Sequence, residues 1–181
     1  NFMNKKLKFS LIISPIVIIC LYLFTALYSF HQFHKGIYYN DKKLIKDYVV
    51  WDELRENFKN YINIQLLKET KKSDELKDLG ELGVLLTGLA GKFVDTMVDT
   101  YLNPEGLSML IEKSEKKDEI PKPTLVTLIG GFTIMDFNSL SSFYVTYENE
   151  GQEFPIFFNR KGLTWKITQI EFPENLLGDL Q

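Results

Sequence analysis

The chain has 181 residues, of which 45% are hydrophobic, 25% charged and 14% aromatic. This composition excludes a disordered protein, which would have fewer apolar residues and a higher net charge. The formal net charge is -3, and three lysines precede the first hydrophobic segment, so the remainder is more acidic than the total indicates. An acidic remainder argues against a nucleic-acid partner, because phosphate binding needs a basic surface.

The first predicted element is an uncharged hydrophobic segment that extends from Phe9 to Phe30. A helix rises about 1.5 Å per residue, so this segment suffices to cross a hydrocarbon core of about 30 Å. We therefore predict a basic tail at 1–8 and a transmembrane anchor, in contact with membrane lipid, at 9–30. A cleaved signal peptide is the alternative, but the nearest cleavage position, Leu27-Tyr28-Ser29, has a large residue where a small one is needed.

The charges around this segment predict its orientation. Lysines on its N-terminal side, Lys5, Lys6 and Lys8, favour a cytoplasmic N-terminus and a domain on the far side of the membrane. The asymmetry is modest, because further lysines follow the segment at Lys35, Lys42 and Lys43. The single cysteine, Cys20, follows Ile19 and not the small residue that lipoprotein acylation requires.

The middle of the chain predicts several helices. The anchor helix continues through 31–39, and a turn at Asn40-Asp41 precedes a short helix over 42–48, which Asp41 can cap. Apolar residues at steps of three and four predict an amphipathic helix over 50–68. The charged run 69–78 indicates a solvated turn or linker. Further helices are predicted at 79–102 and at 104–113, the second capped by Asn103 and opened by Pro104.

The helix predicted over 79–102 has two different sides. Small residues recur at about one helical turn on one side, at Gly80, Gly83, Thr87 and Gly91. They suggest close approach of another backbone. The opposite side consists of Leu82, Leu85, Leu86, Leu89, Phe93 and Met97. We expect this apolar side to pack in a core, and contact with a membrane surface is the alternative.

Four alternating segments near the end of the chain predict an antiparallel β-meander. They lie at 132–137, 142–148, 153–159 and 163–172. Pro155 favours an edge position or a bulge for the third segment, and the alternation in the fourth slips by one residue between Ile167 and Ile170. Helices followed by strands predict an α+β domain over 31–181, with the helices on one face of the sheet.

Three stretches resemble a bacterial family of domains of unknown function, number 2939. The most specific stretch is 93–111, where Asn103 to Leu107 is similar to the N-P-E-G-L block of that family. The second is the spacing of Gly36, Asn40 and Leu44 at four-residue intervals. The third is the ending 157–167, which resembles the family pattern R-x-G-L-x-W-x-L.

The resemblance covers the chain from about Pro15 to Pro173 and carries two implications. It implies a membrane-anchored bacterial protein without an assigned activity, and no catalytic residue can be carried over from the family. With the orientation above, it implies a single-pass protein of the bacterial inner membrane whose domain faces the periplasm. The order of helices before a meander is also similar to the nuclear-transport-factor-two-like arrangement, a fold that hosts enzymes and binding modules alike.

The sequence contains few candidates for chemistry. His31 and His34 share a helical face, but a metal site would need further ligands beside them. Asp95 and Asp99 are one helical turn apart and could act as paired carboxylates, but a solvated stripe on an amphipathic helix is the simpler interpretation and the one that we expect. Asp136 lies between apolar residues of a strand, and we expect an edge position for it. No cofactor is predicted.

We therefore expect a non-enzymatic, membrane-tethered binding or accessory module with an apolar ligand or a protein partner. Three aromatic residues are the expected pocket lining, Trp51, Phe143 and Trp165, and a role in the core is the simpler interpretation of them. One alternative is a structural subunit of a larger membrane protein assembly that docks through the glycine-lined helix. Another is a small hydrolase or isomerase that depends on Asp95, Asp99 or Asp136.

Overall fold

The computed structural model describes residues 5–72, 81–114, 120–149 and 151–172. These residues form helices followed by a four-stranded antiparallel sheet, which confirms the predicted α+β class. The helices are α1 (Lys5–Tyr39), α2 (Lys42–Asp47), α3 (Trp51–Lys72), α4 (Glu81–Tyr101), α5 (Pro104–Lys113) and α6 (Leu125–Gly130). The strands are β1 (Met135–Ser139), β2 (Ser142–Asn149), β3 (Gln152–Lys161) and β4 (Thr164–Ile170), and a 3-10 turn at Gly131–Thr133 precedes them.

Helix α1 has two parts with different surroundings. In the described part of the chain it holds the one stretch, Ile13–Tyr39, that is long and apolar enough to cross a membrane. Residues 13–21 are exposed on every side. From Tyr22 onward the helix packs on the sheet, and Ala26 and Leu27 are buried in the same core as the strands.

This packing differs from the domain limits that we predicted. An anchor at 9–30 followed by a domain at 31–181 would place a boundary after Phe30, but α1 passes this position without a break. Phe30 lies against Phe158 of β3, with the ring centroids 6.0 Å apart. Hydropathy alone does not separate lipid-facing residues from residues packed on a sheet, because both sets are apolar. The packed domain therefore begins at Tyr22.

The four strands follow one another in the sheet in the order of the chain. The edge prediction for the proline strand is wrong, because β3 pairs with both β2 and β4. Pro155 lies just beyond the last register pair of β3 with β4, Ile156 with Ile170, and its carbonyl accepts a hydrogen bond from the Glu171 N–H at 2.9 Å. The first strand begins later than predicted, since 131–133 form the 3-10 turn.

The phase slip in the last strand is a β-bulge at Thr168. Phe158 pairs with Ile167 and Phe157 pairs with Gln169, so Thr168 has no partner in the register. Its carbonyl accepts a hydrogen bond from the Asn57 side chain at 3.0 Å, which fastens α3 to this point of the sheet.

The core lies between α1 and one face of the sheet. Phe143 and Phe158 stack with their ring planes 6° apart and their centroids separated by 4.7 Å. Trp165 lies beside Phe143, and all three side chains are almost wholly buried. On the β4 edge, Val49 forms a parallel bridge with Ile167, so the segment before α3 covers that edge.

The corner between α1 and α2 explains the four-residue spacing of Gly36, Asn40 and Leu44. A Cβ on Gly36 would lie 3.1 Å from the Leu44 Cβ, so glycine lets α2 pack this closely without a shift of its neighbours. Asn40 turns the chain with a φ of 53°, a conformation that asparagine tolerates better than most residues. Asp41 then caps α2 by accepting from the Lys43 and Leu44 N–H groups, as predicted.

The corner between α4 and α5 explains the N-P-E-G-L block. Asn103 Oδ1 accepts a hydrogen bond from the Gly106 N–H at 2.7 Å and caps α5. Its side-chain nitrogen donates to the Thr100 carbonyl at 2.7 Å, which also satisfies the end of α4. A Cβ on Gly106 would lie 2.3 Å from the Tyr101 carbonyl oxygen, so this position requires glycine.

The described part of the apolar side of α4, which we assigned to a core, is not buried. Leu89, Phe93 and Met97 are all exposed, and Phe93 is 66% exposed. Gly91 faces α3, since a Cβ there would lie 3.8 Å from Asn63 Oδ1. The side chains of 81–87, and Gly80, lie outside the described residues. The predicted linker is helical up to Lys72, and its remainder also lies outside the described part.

Candidate functional site

An apolar cavity of about 720 Å³ lies between the second half of α1, the sheet and the segment around α6. Ligand pockets typically measure about 300–1,000 Å³ and are mostly apolar with a few polar groups. The size and character of this cavity therefore match a site for a small apolar molecule.

Each wall of the cavity comes from a different part of the chain. Helix α1 contributes Phe30, Phe33 and Ile37. The sheet contributes Val145 and Ile156 from the inner strands β2 and β3. These walls are held by the core, because Phe30 and Phe33 both contact the buried ring of Phe158.

The third wall was not recognisable as a site from the sequence. It consists of Ile120 and Pro121, the end of α6, and Ile134. Thr124 fixes this wall through a capping box with Thr127, whose Oγ1 accepts from the Thr124 N–H at 2.7 Å. A threonine before the apolar run 125–129 is the sequence signal that predicts such a helix.

A glycine pair closes the cavity wall at the end of α6. A Cβ on Gly131 would lie 2.8 Å from Leu27 Cδ1, so glycine allows this turn to pack directly on α1. A Cβ on Gly130 would meet nothing within 4 Å, although Gly130 lines the cavity. The neighbouring glycines therefore differ: Gly131 packs on α1 and Gly130 borders open space.

Polar groups are the minority of the lining, and each of the three walls contributes at least one of them. His34 belongs to the α1 wall, and Glu148 lies near the end of β2. Thr127, Thr146 and Tyr147 also line the cavity. This arrangement is suited to an apolar chain with one polar end, because the carboxylate and the imidazole would face polar atoms while the aliphatic wall holds the chain.

The three aromatic residues predicted as pocket lining occupy other positions. Phe143 and Trp165 are wholly buried in the core, and Trp51 is partly buried against that core. None of them lines the cavity described above. Their aromatic character is used for packing behind the cavity wall, which is the simpler interpretation that the sequence allowed.

The two histidines of α1 form an edge-to-face pair with ring centroids 6.5 Å apart. Only His34 lines the cavity. Within the described ranges, no group of three or more His, Cys, Asp or Glu side chains is placed to hold a metal ion.

The predicted carboxylate pair lies on the surface, between α3 and α4. Lys59 Nζ lies 2.8 Å from Asp99 Oδ1 and 3.7 Å from Asp95 Oδ1, and both carboxylates are more than half exposed. They border a shallow polar groove of about 430 Å³. Asp136 is exposed on β1, an edge strand, as predicted. These positions favour a solvated ion-pair network over acid–base chemistry.

Comparison with protein families gives one match. The model described as "Protein of unknown function (DUF2939)" matches residues 16–110, slightly more than half of the chain. The chain belongs to this family. A search of curated proteins and a search of solved structures gave no significant match, so the nuclear-transport-factor-two-like arrangement stays a prediction.

The DUF2939 match begins within α1, ends within α5 and includes both helical corners. It ends before the sheet, so the resemblance that we predicted for the ending 157–167 lies outside the matched range. Inside that range, Gly36 and Gly106 permit close helix packing, and Asn103 caps two helices. The residues that carry the resemblance of this DUF2939 protein to its family therefore have structural roles in the two helical corners.

Proposed function

We propose that this DUF2939 protein is a membrane-tethered binding module that holds an apolar ligand, such as an acyl chain with a polar head, in the cavity between α1 and the sheet. The observation that carries the proposal is the cavity itself, with its apolar walls and the polar atoms of His34 and Glu148. An exposed apolar cavity of this size costs free energy in water unless a ligand covers it.

The first half of α1 supports the tether. Its residues are exposed on all sides between 13 and 21, and a helix that is apolar all round requires either a protein core or lipid. Cleavage of a signal peptide near residue 30 would remove Ala26 and Leu27 from the domain core. Retention of the segment is therefore the more favourable outcome for folding, and we place it in a membrane.

For the orientation we propose a cytoplasmic N-terminus and a periplasmic domain in a bacterial inner membrane. The basis is the basic tail Lys5, Lys6 and Lys8. We also propose a binding role and not catalysis, because the candidate carboxylates Asp95 and Asp99 are paired with Lys59 on the surface.

The ligand proposal is tested by photocrosslinking in membranes. Cells that express the full chain are fed a diazirine-containing long-chain fatty acid, and after illumination the crosslinked peptides are mapped by mass spectrometry. Crosslinks should concentrate on the peptides that contain Ile134 and Ile156, two cavity-lining residues. Labelling confined to the α1 segment would reflect bulk lipid and would overturn the proposal.

A pair of glycine variants provides the matched control. Gly130→Leu fills open space that borders the cavity and should abolish the Ile134 and Ile156 crosslinks. Gly88→Leu adds the same side chain to an exposed helical site where a Cβ also meets nothing within 4 Å, and it should keep them. Ile134→Glu should also reduce them, since it puts a charge in an apolar wall.

The second candidate function is a structural subunit of a larger membrane assembly. Leu89, Phe93 and Met97 form an exposed ridge on α4 at four-residue spacing, and such a ridge is typical of an interaction surface. Native electrophoresis of gently solubilised membranes tests it. Phe93→Ser should reduce the particle to the mass of the chain in detergent, whereas Val126→Ser, an exposed apolar site on α6, should not.

A further inference from the structure

Two β-hairpin tips lie beside α1 at the level where the helix leaves the sheet. The Tyr22 hydroxyl donates a hydrogen bond to the Leu140 carbonyl, at 2.6 Å, in the β1–β2 hairpin. The guanidinium of Arg160, at the β3–β4 hairpin, lies 5.5 Å from the centroid of the Tyr22 ring. Both hairpin tips therefore meet the helix at the same residue.

Each hairpin tip carries a leucine that is exposed to solvent in the folded domain. Leu140 is 85% exposed and Leu163 is 78% exposed. Turns usually carry polar residues, and nothing in the packing requires leucine at either place. We call Leu140, Leu163 and Arg160 the tip surface. Because residues 13–21 of α1 are also exposed and apolar, the tip surface continues the apolar surface of the helix.

The length of the free helix gives a second, independent observation. The uncharged run begins at Phe9 and the packing on the sheet begins at Tyr22, so 9–21 span about 20 Å along the helix. A bilayer core is about 30 Å thick. The missing length is supplied if the end of the domain that carries the tip surface lies in the membrane, at the edge of the apolar layer.

We propose that the two hairpin tips insert into the interfacial layer of the membrane that α1 enters, with Leu140 and Leu163 in contact with lipid. The proposal rests on the membrane attachment of α1 given above and adds a second contact to it. Arg160 then lies among lipid headgroups, where its charge faces phosphate, and Tyr22 lies at the depth that aromatic residues favour.

The charges near the tip surface suit a lipid phosphate. The Arg160 side chain is exposed, and its Nε donates a hydrogen bond to the Gly162 carbonyl at 2.9 Å. This bond to the turn fixes the orientation of the guanidinium. Lys161 forms an ion pair with Glu53, with 2.6 Å between Nζ and Oε1. The tip surface thus offers one cation beside two apolar side chains.

The test uses single cysteines in the full-length chain, with Cys20→Ser as the background. Leu140→Cys, Leu163→Cys and Glu153→Cys are each labelled with an environment-sensitive fluorophore and reconstituted in vesicles that contain anionic phospholipid. Glu153 is exposed on β3 near the hairpin at the other end of the sheet, so it is the control. Substitutions at exposed positions should leave the fold intact.

The expected result is a blue-shifted emission at Leu140→Cys and Leu163→Cys, quenched by lipid-attached spin labels, with neither effect at Glu153→Cys. Flotation of the same vesicles reports the attachment of α1 separately. If the chain floats but all three sites report water, the tip contact is overturned and the tether stands. If the chain does not float, both the tether and the tip contact are overturned.

Discussion

The indole nitrogen of Trp165 donates a hydrogen bond to Thr25 Oγ1 at 3.0 Å, which joins the last strand to the first helix across the core. The backbone N–H of Trp165 donates to Ser29 Oγ at 3.1 Å. A wholly buried residue of the sheet thus takes its polar partners from α1. The first helix is therefore part of the folded domain as well as its proposed connection to the membrane.

Loss of the Thr25 hydroxyl should destabilise the domain. Thr25→Val keeps the shape of the side chain but leaves the buried indole N–H of Trp165 without an acceptor. An unsatisfied buried donor costs about 1–3 kcal/mol, and we expect the free energy of unfolding to fall by that amount. Denaturant unfolding in detergent, followed by tryptophan fluorescence, measures it.

Thr100→Val is the matched control for this prediction. Its hydroxyl donates to the Thr96 carbonyl on the exposed surface of α4, where water can replace it. Thr100→Val should change the free energy of unfolding by no more than about 0.5 kcal/mol. Equal effects of Thr25→Val and Thr100→Val would mean that the Trp165 contact does not contribute to stability.

Two truncations separate the core role of α1 from its anchor role. A chain that starts at residue 31 loses Leu27, and removal of one buried leucine side chain alone costs about 2–5 kcal/mol. The free energy of unfolding of such a domain is about 5–15 kcal/mol in total, so this chain should be largely unfolded. A chain that starts at Tyr22 keeps the buried residues of α1 and should fold. Near-ultraviolet circular dichroism distinguishes the two, and a folded domain from the shorter chain would contradict the packing described here.

Gly106 should tolerate no side chain. Gly106→Ala places a Cβ against the Tyr101 carbonyl, 2.3 Å away in the present backbone, and overpacking of this kind costs about 1–3 kcal/mol. Gly88→Ala should instead stabilise α4 by up to about 1 kcal/mol, because alanine favours a helix and nothing obstructs its Cβ. Thermal unfolding of both variants checks the sign, and a neutral Gly106→Ala would show that the corner can relax.

The ion pairs of Lys59 should contribute little to the stability of the fold. Both partner carboxylates are more than half exposed, and exposed pairs are worth about 0–1 kcal/mol. Lys59→Met should therefore change the free energy of unfolding by no more than that, and the difference should shrink in high salt. A larger loss that does not depend on salt would indicate a structural role for the groove between α3 and α4.

Local signals in the sequence predicted much of the fold. Asp41 and Asn103 cap the helices that were expected of them, and the slip between Ile167 and Ile170 appears as the bulge at Thr168. These features depend on neighbours within a few residues. A pattern can predict them because their partners are close in the chain.

The cavity and the division of α1 could not be predicted in the same way. The cavity combines Phe33, Ile134 and Ile156, which are separated by many residues, so no local pattern contains it. The division of α1 at Tyr22 depends on contact with Leu140 and Arg160. Thr25 and Ser29, polar residues one turn apart in an apolar run, were the available signal that one face of this helix meets protein.

The central claim is that α1 changes from lipid to protein surroundings at Tyr22, and cysteine accessibility tests it most directly. In the Cys20→Ser background, Ile18→Cys and Tyr28→Cys occupy exposed positions on either side of this point. A water-soluble maleimide applied to intact membranes should label Tyr28→Cys and not Ile18→Cys, with both labelled after solubilisation in denaturant. Protection of both sites would place 9–30 in the bilayer and would contradict the account, and so would labelling of both.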